Sequence, residues 1–317
     1  MTIHSEHQKL DKWVKAISPQ DTVNEAAKYS LHNRLASVQQ FLPRAAVSDI
    51  DSIEDVHQLR VATRRVLAVL QLYAELLPTK PTKSLRRSLK KIQRASGAVR
   101  DLDVLAERFC KVEHNNAKKL VKTFKRRRSR MQLRLTKLYL RLRQDDRFLN
   151  QIEKFPTKIG ASDTSNERAG TWMKMRWAQL VEQFYQVVNV DLEDLDALHR
   201  FRISSKQLRY GLELLAPAFD PTQLERAYAF VERLQDRLGR IHDHVIACEM
   251  FRIWDAKRTR VSRACNLKQL IDDESEILQK EQRDLVTWWT PSLKADMREA
   301  FDQLAILVGQ RHVGVKS

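Results

Sequence analysis

The chain contains few of the residues that interrupt helices. Its 317 residues include only seven Gly and eight Pro, while Leu, Ala, Arg, Lys and Gln, which favour helices, are plentiful. Because Gly and Pro mark most turns, their scarcity predicts a nearly all-α protein.

Cysteines and long apolar runs are also scarce. Cys110, Cys248 and Cys265 lie far apart, so the sequence predicts neither a disulfide framework nor a thiolate metal site and fits a reducing cytosol. The charged N-terminus lacks the apolar stretch of a signal peptide, and no apolar run approaches the ~18 residues of a membrane span. We therefore expect a soluble, cytoplasmic protein without a membrane partner.

Common catalytic motifs are missing as well. The sequence contains no GxxxxGK[ST] phosphate loop, no GxSxG and no HExxH, each of which places reactive groups in a fixed geometry. Phosphoryl transfer also needs carboxylates that hold a metal beside the phosphates. The basic segments 57–64 and 199–209 contain no Asp or Glu. We expect no enzymatic activity and no cofactor.

Positive charge, by contrast, is abundant. Lys and Arg number 57 against 40 Asp and Glu, a net charge of +17. Such an excess says little about fold but predicts an anionic partner, such as nucleic acid, anionic lipid or another polyanion.

One segment occurs twice in the chain, 142 residues apart. The first copy reads VHQLRVATRRVLAVLQLY from Val56, and the second reads LHRFRISSKQLRYGLELL from Leu198. The matched pairs are His57 with His199, Arg60 with Arg202, Arg64 with Lys206, Gly97 with Gly239, and Asp101 with Asp243. A register kept for more than forty residues predicts an internal duplication, and the repeated cations predict that an anion-binding surface was duplicated.

The composition along the chain predicts two halves of similar size. The predicted segments are a loose lead-in at 1–20, a first helical half at 21–154, a linker at 155–170, a second half at 171–310 and a frayed tail at 311–317. The linker holds two of the seven Gly and little periodicity, which is typical of a connection between domains.

Periodicity and breakers predict the helices within each half. We expect helices at about 21–41, 53–77, 82–96 and 115–143, and in the second half at about 259–287. Pro43 and Pro78 are predicted to end the first two. Gly97 is predicted to end the third, and Asp101 to cap a following helix.

Each copy of the repeat separates an apolar stripe from a basic ridge. The stripes are Val56, Leu59, Val66, Leu70, Tyr73 and Leu77 in the first copy, and Leu198, Phe201, Leu208, Leu212 and Leu215 in the second. The ridges are His57, Arg60 and Arg64, and His199, Arg202, Lys206 and Arg209. Because the aromatic residues fall on the stripes, the pattern argues against base stacking of single-stranded nucleic acid.

The ridge spacing suits a linear polyanion. Residues at i, i+3 and i+7 extend about 10 Å along a helix, which spans several phosphoryl groups. Arg presents a planar fork to two phosphate oxygens, whereas Lys presents a compact charge. With Lys90, Lys91 and Arg94, the ridges can form a track for phosphates, to which the two His donate hydrogen bonds.

Simpler interpretations stay open for several residues. A single His beside an apolar stripe is often structural, and Asp101 and Asp243 suit helix caps or Arg partners better than catalytic acids. The run from Lys125 to Arg128 suits a partly solvated face, because four consecutive residues point around the whole helix. His242 and His244 can share a metal only if their segment is a turn, because on a helix they diverge by about 200°.

These residues resemble the CHAD family, the conserved-histidine α-helical domain. The two half-motifs are VHQLRVATRR with SGAVRDLDV, and LHRFRISSKQLRYGLEL with LGRIHDHV, and the resemblance covers about 21–308. It implies two four-helix bundles related by pseudo-two-fold symmetry, with a basic groove or channel between them. It also implies binding of inorganic polyphosphate and association with polyphosphate granules. The ligand-facing positions that it implies are His57, Arg60, Arg64, Arg65, Lys90, Lys91, Arg94, His199, Arg202, Lys206 and Arg209.

The chain departs from the pattern at a few positions. Ser96 precedes Gly97 where the family often has Leu, Gln207 matches Arg65, and His242 matches Arg100. The ExExK motif of the CYTH triphosphatase domain, which some relatives carry, is missing. Non-enzymatic polyphosphate binding is therefore the leading hypothesis, with a nucleic-acid-binding protein, a polyphosphate-processing enzyme and a metal-chelating protein as alternatives.

Overall fold

The computed structural model describes residues 11–14, 16–47, 53–110, 117–144, 147–159, 167–257 and 265–305. Over these ranges the chain forms ten α-helices with short 3₁₀ segments, and extended residues pair only in an isolated bridge between Thr22 and Arg168. The all-α prediction is confirmed. Of the helices described, none is long and apolar enough to cross a membrane. The predicted tail at 311–317 and the linker residues 160–166 lie outside the described residues.

The helices form two compact units. The first unit contains α1 (Val23–Val47), α2 (Ile53–Leu72), α3 (Thr79–Cys110), most of α4 (Ala117–Gln144) and α5 (Arg147–Lys154). Helix α2 packs between α1 and α3. The predicted stripe from Val56 to Tyr73 is fully buried, and each such side chain contributes about 1.5–3 kcal/mol when removed from water.

The second unit repeats this order of helices. It contains α6 (Ala169–Tyr185), α7 (Leu195–Leu215), α8 (Pro221–Ala256), α9 (Leu267–Trp288) and α10 (Pro291–Ala305). Its predicted stripe from Leu198 to Leu215 is also buried. Within the described residues, each unit thus has five α-helices, one more than the four that the resemblance implied.

The element bounds follow the register of the sequence repeat. Helices α2 and α7 begin at Ile53 and Leu195, 142 residues apart. The same interval separates the 3₁₀ segments Ala74–Leu76 and Ala216–Ala218, and the first residues of α3 and α8. The bounds agree with a duplication, which stays a prediction, as does the groove between the halves.

The described part of the predicted lead-in is packed rather than loose. Val14 and Ile17 are buried. The buried guanidinium of Arg34, on α1, donates hydrogen bonds to the carbonyl oxygens of Asp11 and Lys12, at 2.8 Å each. The lead-in therefore satisfies a charge that α1 alone would leave buried without acceptors.

Helix α1 continues past Pro43, where the sequence predicted its end. It runs to Val47, and its last turn is stabilised from another helix. Gln132 of α4 donates to the carbonyl oxygen of Ala45 (2.6 Å), and the Thr136 hydroxyl donates to that of Ala46 (2.5 Å). These donors pair carbonyls that have no partner inside α1, which the local sequence could not reveal.

Helix α3 is also longer than predicted. It runs without interruption through Gly97 and Asp101, so the predicted helix stop and N-cap at these residues are wrong. The same holds for α8, which runs through Gly239 and Asp243. Because α3 is continuous, the residues before and after Gly97 both lie along α2. Together with α2 they form the candidate site.

Candidate anion-binding site

The ridge on α2 lies beside α3 and is half-exposed. His57, Arg60 and Arg64 are each partly open to solvent, while the stripe on the other side of α2 is buried. The guanidinium of Arg60 lies 3.6 Å from the Asp101 carboxylate. Asp101 thus serves as a partner for a nearby Arg, one of the two roles that the sequence suggested for it.

Gly97 makes room for Arg60 within α3. A Cβ atom at position 97 would overlap the Arg60 guanidinium and would meet nothing else within 4 Å. Glycine in a helix interior usually lowers stability by about 1 kcal/mol relative to Ala. Here the missing side chain lets Arg60 lie directly on the helix surface.

Arg100 completes the cationic cluster around His57. Burial lowers the pKa of His57, and the charges of Arg100, Arg64 and Arg60 lower it further, whereas Glu54 opposes them. The neutral imidazole is therefore favoured while no anion is bound. An anion beside these cations would favour the imidazolium instead.

Helix α3 adds three exposed cations. Lys90, Lys91 and Arg94 are all exposed. Arg94, Gly97 and Asp101 lie three and four residues apart and so share one side of α3, which places Arg94 on the side that Arg60 approaches. Lys91 points away from this side by about a quarter turn.

Arg65, also implied as a ligand-facing residue, is buried and hydrogen-bonded within the protein. It is 5% exposed, and its Nη1 donates to the Asp11 carbonyl oxygen at 3.3 Å. Since it offers little surface to a ligand, we assign it to the packing of residues 11–14 on α2.

The ridge on α7 has a different environment. His199 is exposed, and Arg202 and Lys206 are half-exposed. The rings of His199 and His242 lie 6.0 Å apart between centroids. Nothing lies within 4 Å of a Cβ atom built on Gly239, so Arg202 does not occupy the place that Arg60 takes on Gly97.

Arg209 pairs with buried polar groups. Its Nε lies 3.2 Å from the carboxylate of Glu213, which is 1% exposed, and 3.0 Å from the Tyr228 hydroxyl. Although burial opposes the charged form, Tyr228 and Glu213 together raise the pKa of Arg209. Arg209 thus forms an ion pair with a buried carboxylate. Only the exposed part of the Arg209 side chain can reach a ligand.

Comparisons with known proteins assign the chain to a family. The family model described as "CHAD domain" matches residues 30–252, a span that includes both ridges. The chain belongs to the CHAD family.

Two solved structures have a similar fold. A CHAD domain from the plant Ricinus communis has 20% sequence identity and a TM-score of 0.75, over 93% of this chain and 97% of that chain. PptA from Streptomyces chartreusis has 15% identity and a TM-score of 0.56, over 89% of this chain and 100% of that chain. No curated protein matches the sequence.

The CHAD fold of this chain brings in two residues that sequence reasoning left out of the site. Arg100 acts on His57, and His242 lies beside His199, so the two pairs occupy matching positions in the repeat. The offset of 142 matches the two residues in the sequence, but it does not show that they approach His57 and His199. The helix end predicted at Gly97, which the structure does not form, placed Arg100 in a turn.

His242 and His244 lie on the continuous helix α8 of the CHAD fold and face different neighbours. His242 approaches His199, whereas Nδ1 of His244 lies 2.7 Å from the Glu274 carboxylate on α9. The turn that a shared metal would require is therefore not formed. Within the described residues, no three His, Cys, Asp or Glu side chains are grouped to hold a metal.

Proposed function

We propose that this CHAD protein binds inorganic polyphosphate through the ridges on α2 and α7 without chemically altering it. The observation that carries the proposal is the half-exposed row of His57, Arg60 and Arg64 beside the exposed cations of α3. Positive charges attached to helices suit a repeating phosphate chain, because the backbone that carries them is already ordered before the ligand binds.

The chemistry of the ridge supports binding more than catalysis. Asp101, a carboxylate beside the ridge on α2, pairs with Arg60. Phosphoryl transfer uses several carboxylates to hold metal ions. We expect no release of phosphate from polyphosphate in the presence of Mg²⁺ or Mn²⁺, and a release rate that rises with protein concentration and falls in ridge variants would contradict this.

Nucleic acid is the competing ligand class, since it shares the charge and the salt-sensitive affinity. The buried positions of Tyr73 and Phe201 favour polyphosphate over single strands, which stack their bases on exposed aromatic rings. A competition experiment separates the two. Long-chain polyphosphate should displace duplex DNA at far lower phosphate concentration than the reverse, and equal competition would contradict the preference.

The same proposal places the protein in the cytoplasm at polyphosphate granules. It rests on the family resemblance and on the absence of a membrane-spanning helix among those described. A fluorescent fusion should colocalise with granules and should become diffuse in cells that make no polyphosphate. A focal pattern that persists in such cells would contradict the granule assignment.

A further inference from the structure

Helix α4 carries an unusual charge pattern outside the site. Its 28 residues include twelve Lys and Arg and not one Asp or Glu. The outward side chains include Lys122, Arg126, Arg130, Arg134, Lys137 and Arg141, all of them exposed. By contrast α9, its counterpart in the second unit, carries both acidic and basic side chains.

The inner face of α4 packs against the first unit. Phe124 and Leu135 are fully buried, and Arg128 forms a buried ion pair with Asp103 of α3, at 2.7 Å. With the Gln132 and Thr136 hydrogen bonds to the end of α1, these contacts fix which side of α4 faces outward.

Large aliphatic side chains interrupt this basic surface. Among the described residues, the three most exposed large hydrophobic side chains are Val47 (71%), Leu133 (60%) and Leu140 (54%). Leu133 and Leu140 are seven residues apart and so lie on one side of α4, about 10 Å from each other. Val47 follows Ala46, whose carbonyl bonds to Thr136, so it lies beside the same part of α4.

The charges of this surface repel one another in the free protein. Burial lowers the pKa of Arg127, and the neighbouring Arg130 and Arg126 lower it further. A partner with densely spaced negative charge would relieve this repulsion.

An anionic lipid bilayer suits this combination better than other polyanions. Polyphosphate would pair the cations but leave Val47, Leu133 and Leu140 in water. A second copy of the chain, at +17, would be repelled. A bilayer offers anionic headgroups to Arg and Lys and an apolar layer to the aliphatic side chains.

We propose that the α4 surface (the exposed cations from Lys122 to Arg141 with Val47, Leu133 and Leu140) docks peripherally on an anionic lipid bilayer. This proposal differs from the sequence-based expectation that the chain has no membrane partner. It does not depend on polyphosphate binding, because it uses other residues.

The test is co-sedimentation with vesicles of phosphatidylcholine alone and of phosphatidylcholine mixed with phosphatidylserine. It is done in the Arg60→Glu, Arg202→Glu background, so that the ridges do not bind the lipid. We expect binding to the mixed vesicles only, weakening with added salt. No binding to the mixed vesicles would overturn the proposal.

Two variants separate a bilayer contact from simple charge attraction. Arg130→Glu with Arg134→Glu should abolish vesicle binding, and Leu133→Ser with Leu140→Ser should weaken it by at least about tenfold, as expected when two aliphatic side chains no longer enter the bilayer. The matched control, Ile203→Ser with Ile253→Ser, changes side chains that are 46% and 52% exposed on other helices and should have no effect.

Two further results would exclude the bilayer as the partner of the α4 surface. If the leucine variant binds vesicles as tightly as its parent, or if it instead loses self-association in sedimentation, the bilayer is not the partner. Polyphosphate binding by the leucine variant in the otherwise wild-type chain should be unchanged. A failure of the vesicle experiment therefore leaves the polyphosphate proposal intact.

Discussion

The position of the Arg60 guanidinium depends on Gly97, the residue that it lies against. Gly97 leaves the space that the guanidinium occupies, whereas the matching Gly239 faces open space. Two glycines at equivalent positions of the repeat therefore have different roles. The first leaves space for the Arg60 guanidinium, and the second only weakens its helix.

Substitution of these two glycines by alanine tests this difference. In Gly97→Ala, we expect α3 to persist but Arg60 to be displaced, lowering polyphosphate affinity about tenfold, as for the loss of one charge-assisted hydrogen bond. In Gly239→Ala, we expect unchanged affinity and a gain of up to about 1 kcal/mol in the free energy of unfolding. Calorimetric titration and denaturant unfolding measure both, and equal affinities of the two variants would contradict the assignment.

His57 gives the site a pH dependence with a definite sign. Because burial and the cations Arg100, Arg64 and Arg60 lower its pKa, against a smaller opposing effect of Glu54, the unfolded chain binds a proton at higher pH than the folded protein does. Stability from this residue is therefore present above about pH 6.5 and is lost as the pH falls toward the lowered pKa. Bound phosphate should reverse this trend by favouring the imidazolium.

The measurement is thermal unfolding between pH 8 and pH 5, with and without polyphosphate. We expect the wild type without ligand to lose stability below about pH 6.5 and His57→Gln to lose less. Polyphosphate affinity should rise on acidification more in the wild type than in His57→Gln. Identical pH profiles for the two proteins would show that His57 does not titrate at the site.

At the scale of helices, the repeating patterns were predictable and the helix ends were not. The stripe from Val56 to Tyr73 and the length of α4 follow from periodicity, which reports which side of a helix is buried. Pro43 and Gly97 predict helix ends because each usually marks one. Gln132 and Thr136 stabilise the turn of α1 after Pro43, and Arg60 lies against Gly97 within α3; both arrangements depend on tertiary packing rather than on neighbouring residues.

The Asp103–Arg128 pair joins α3 to α4 beneath the basic surface. Both side chains are buried, and burial raises the pKa of Asp103 although Arg128 acts in the opposite direction. Asp103→Ala should reduce the free energy of unfolding by about 3–5 kcal/mol, because it leaves Arg128 buried without its partner. The double variant Asp103→Leu, Arg128→Met should recover most of this loss.

An exposed pair provides the control for this prediction. Arg298 and Asp302 lie four residues apart on α10 with side chains 39% and 52% exposed, so Asp302→Ala should change stability by no more than about 0.5 kcal/mol. Urea unfolding of the variants gives the comparison. A loss in Asp103→Ala as small as that in Asp302→Ala would show that the buried pair does not fix α4 in place.

Over the whole chain, the two units carry the same plan of helices with unequal charge. In the first unit His57 is accompanied by Arg100, and in the second His199 is accompanied by His242. Arg keeps its charge at every physiological pH, whereas His does not. We therefore expect the first unit to contribute more of the affinity for polyphosphate at neutral pH.

Matched charge reversals measure the contribution of each unit. Arg60→Glu with Arg64→Glu should weaken polyphosphate binding more than Arg202→Glu with Lys206→Glu does at pH 7.5. Both variants should show a shallower dependence of log affinity on log salt than the wild type, because fewer phosphates are neutralised. A larger loss from the second-unit variant at neutral pH would refute the ranking.

The most direct test of the central claim is the affinity of the wild type and of Arg60→Glu with Arg202→Glu for polyphosphates of defined length. The proposed ridges predict tight, length-dependent, salt-sensitive binding by the wild type. They also predict at least about a hundredfold loss in the variant, from two reversed charge-assisted contacts, with an unchanged helical circular-dichroism spectrum. Variant binding that equals that of the wild type would contradict the account and would place the anion site elsewhere on the chain.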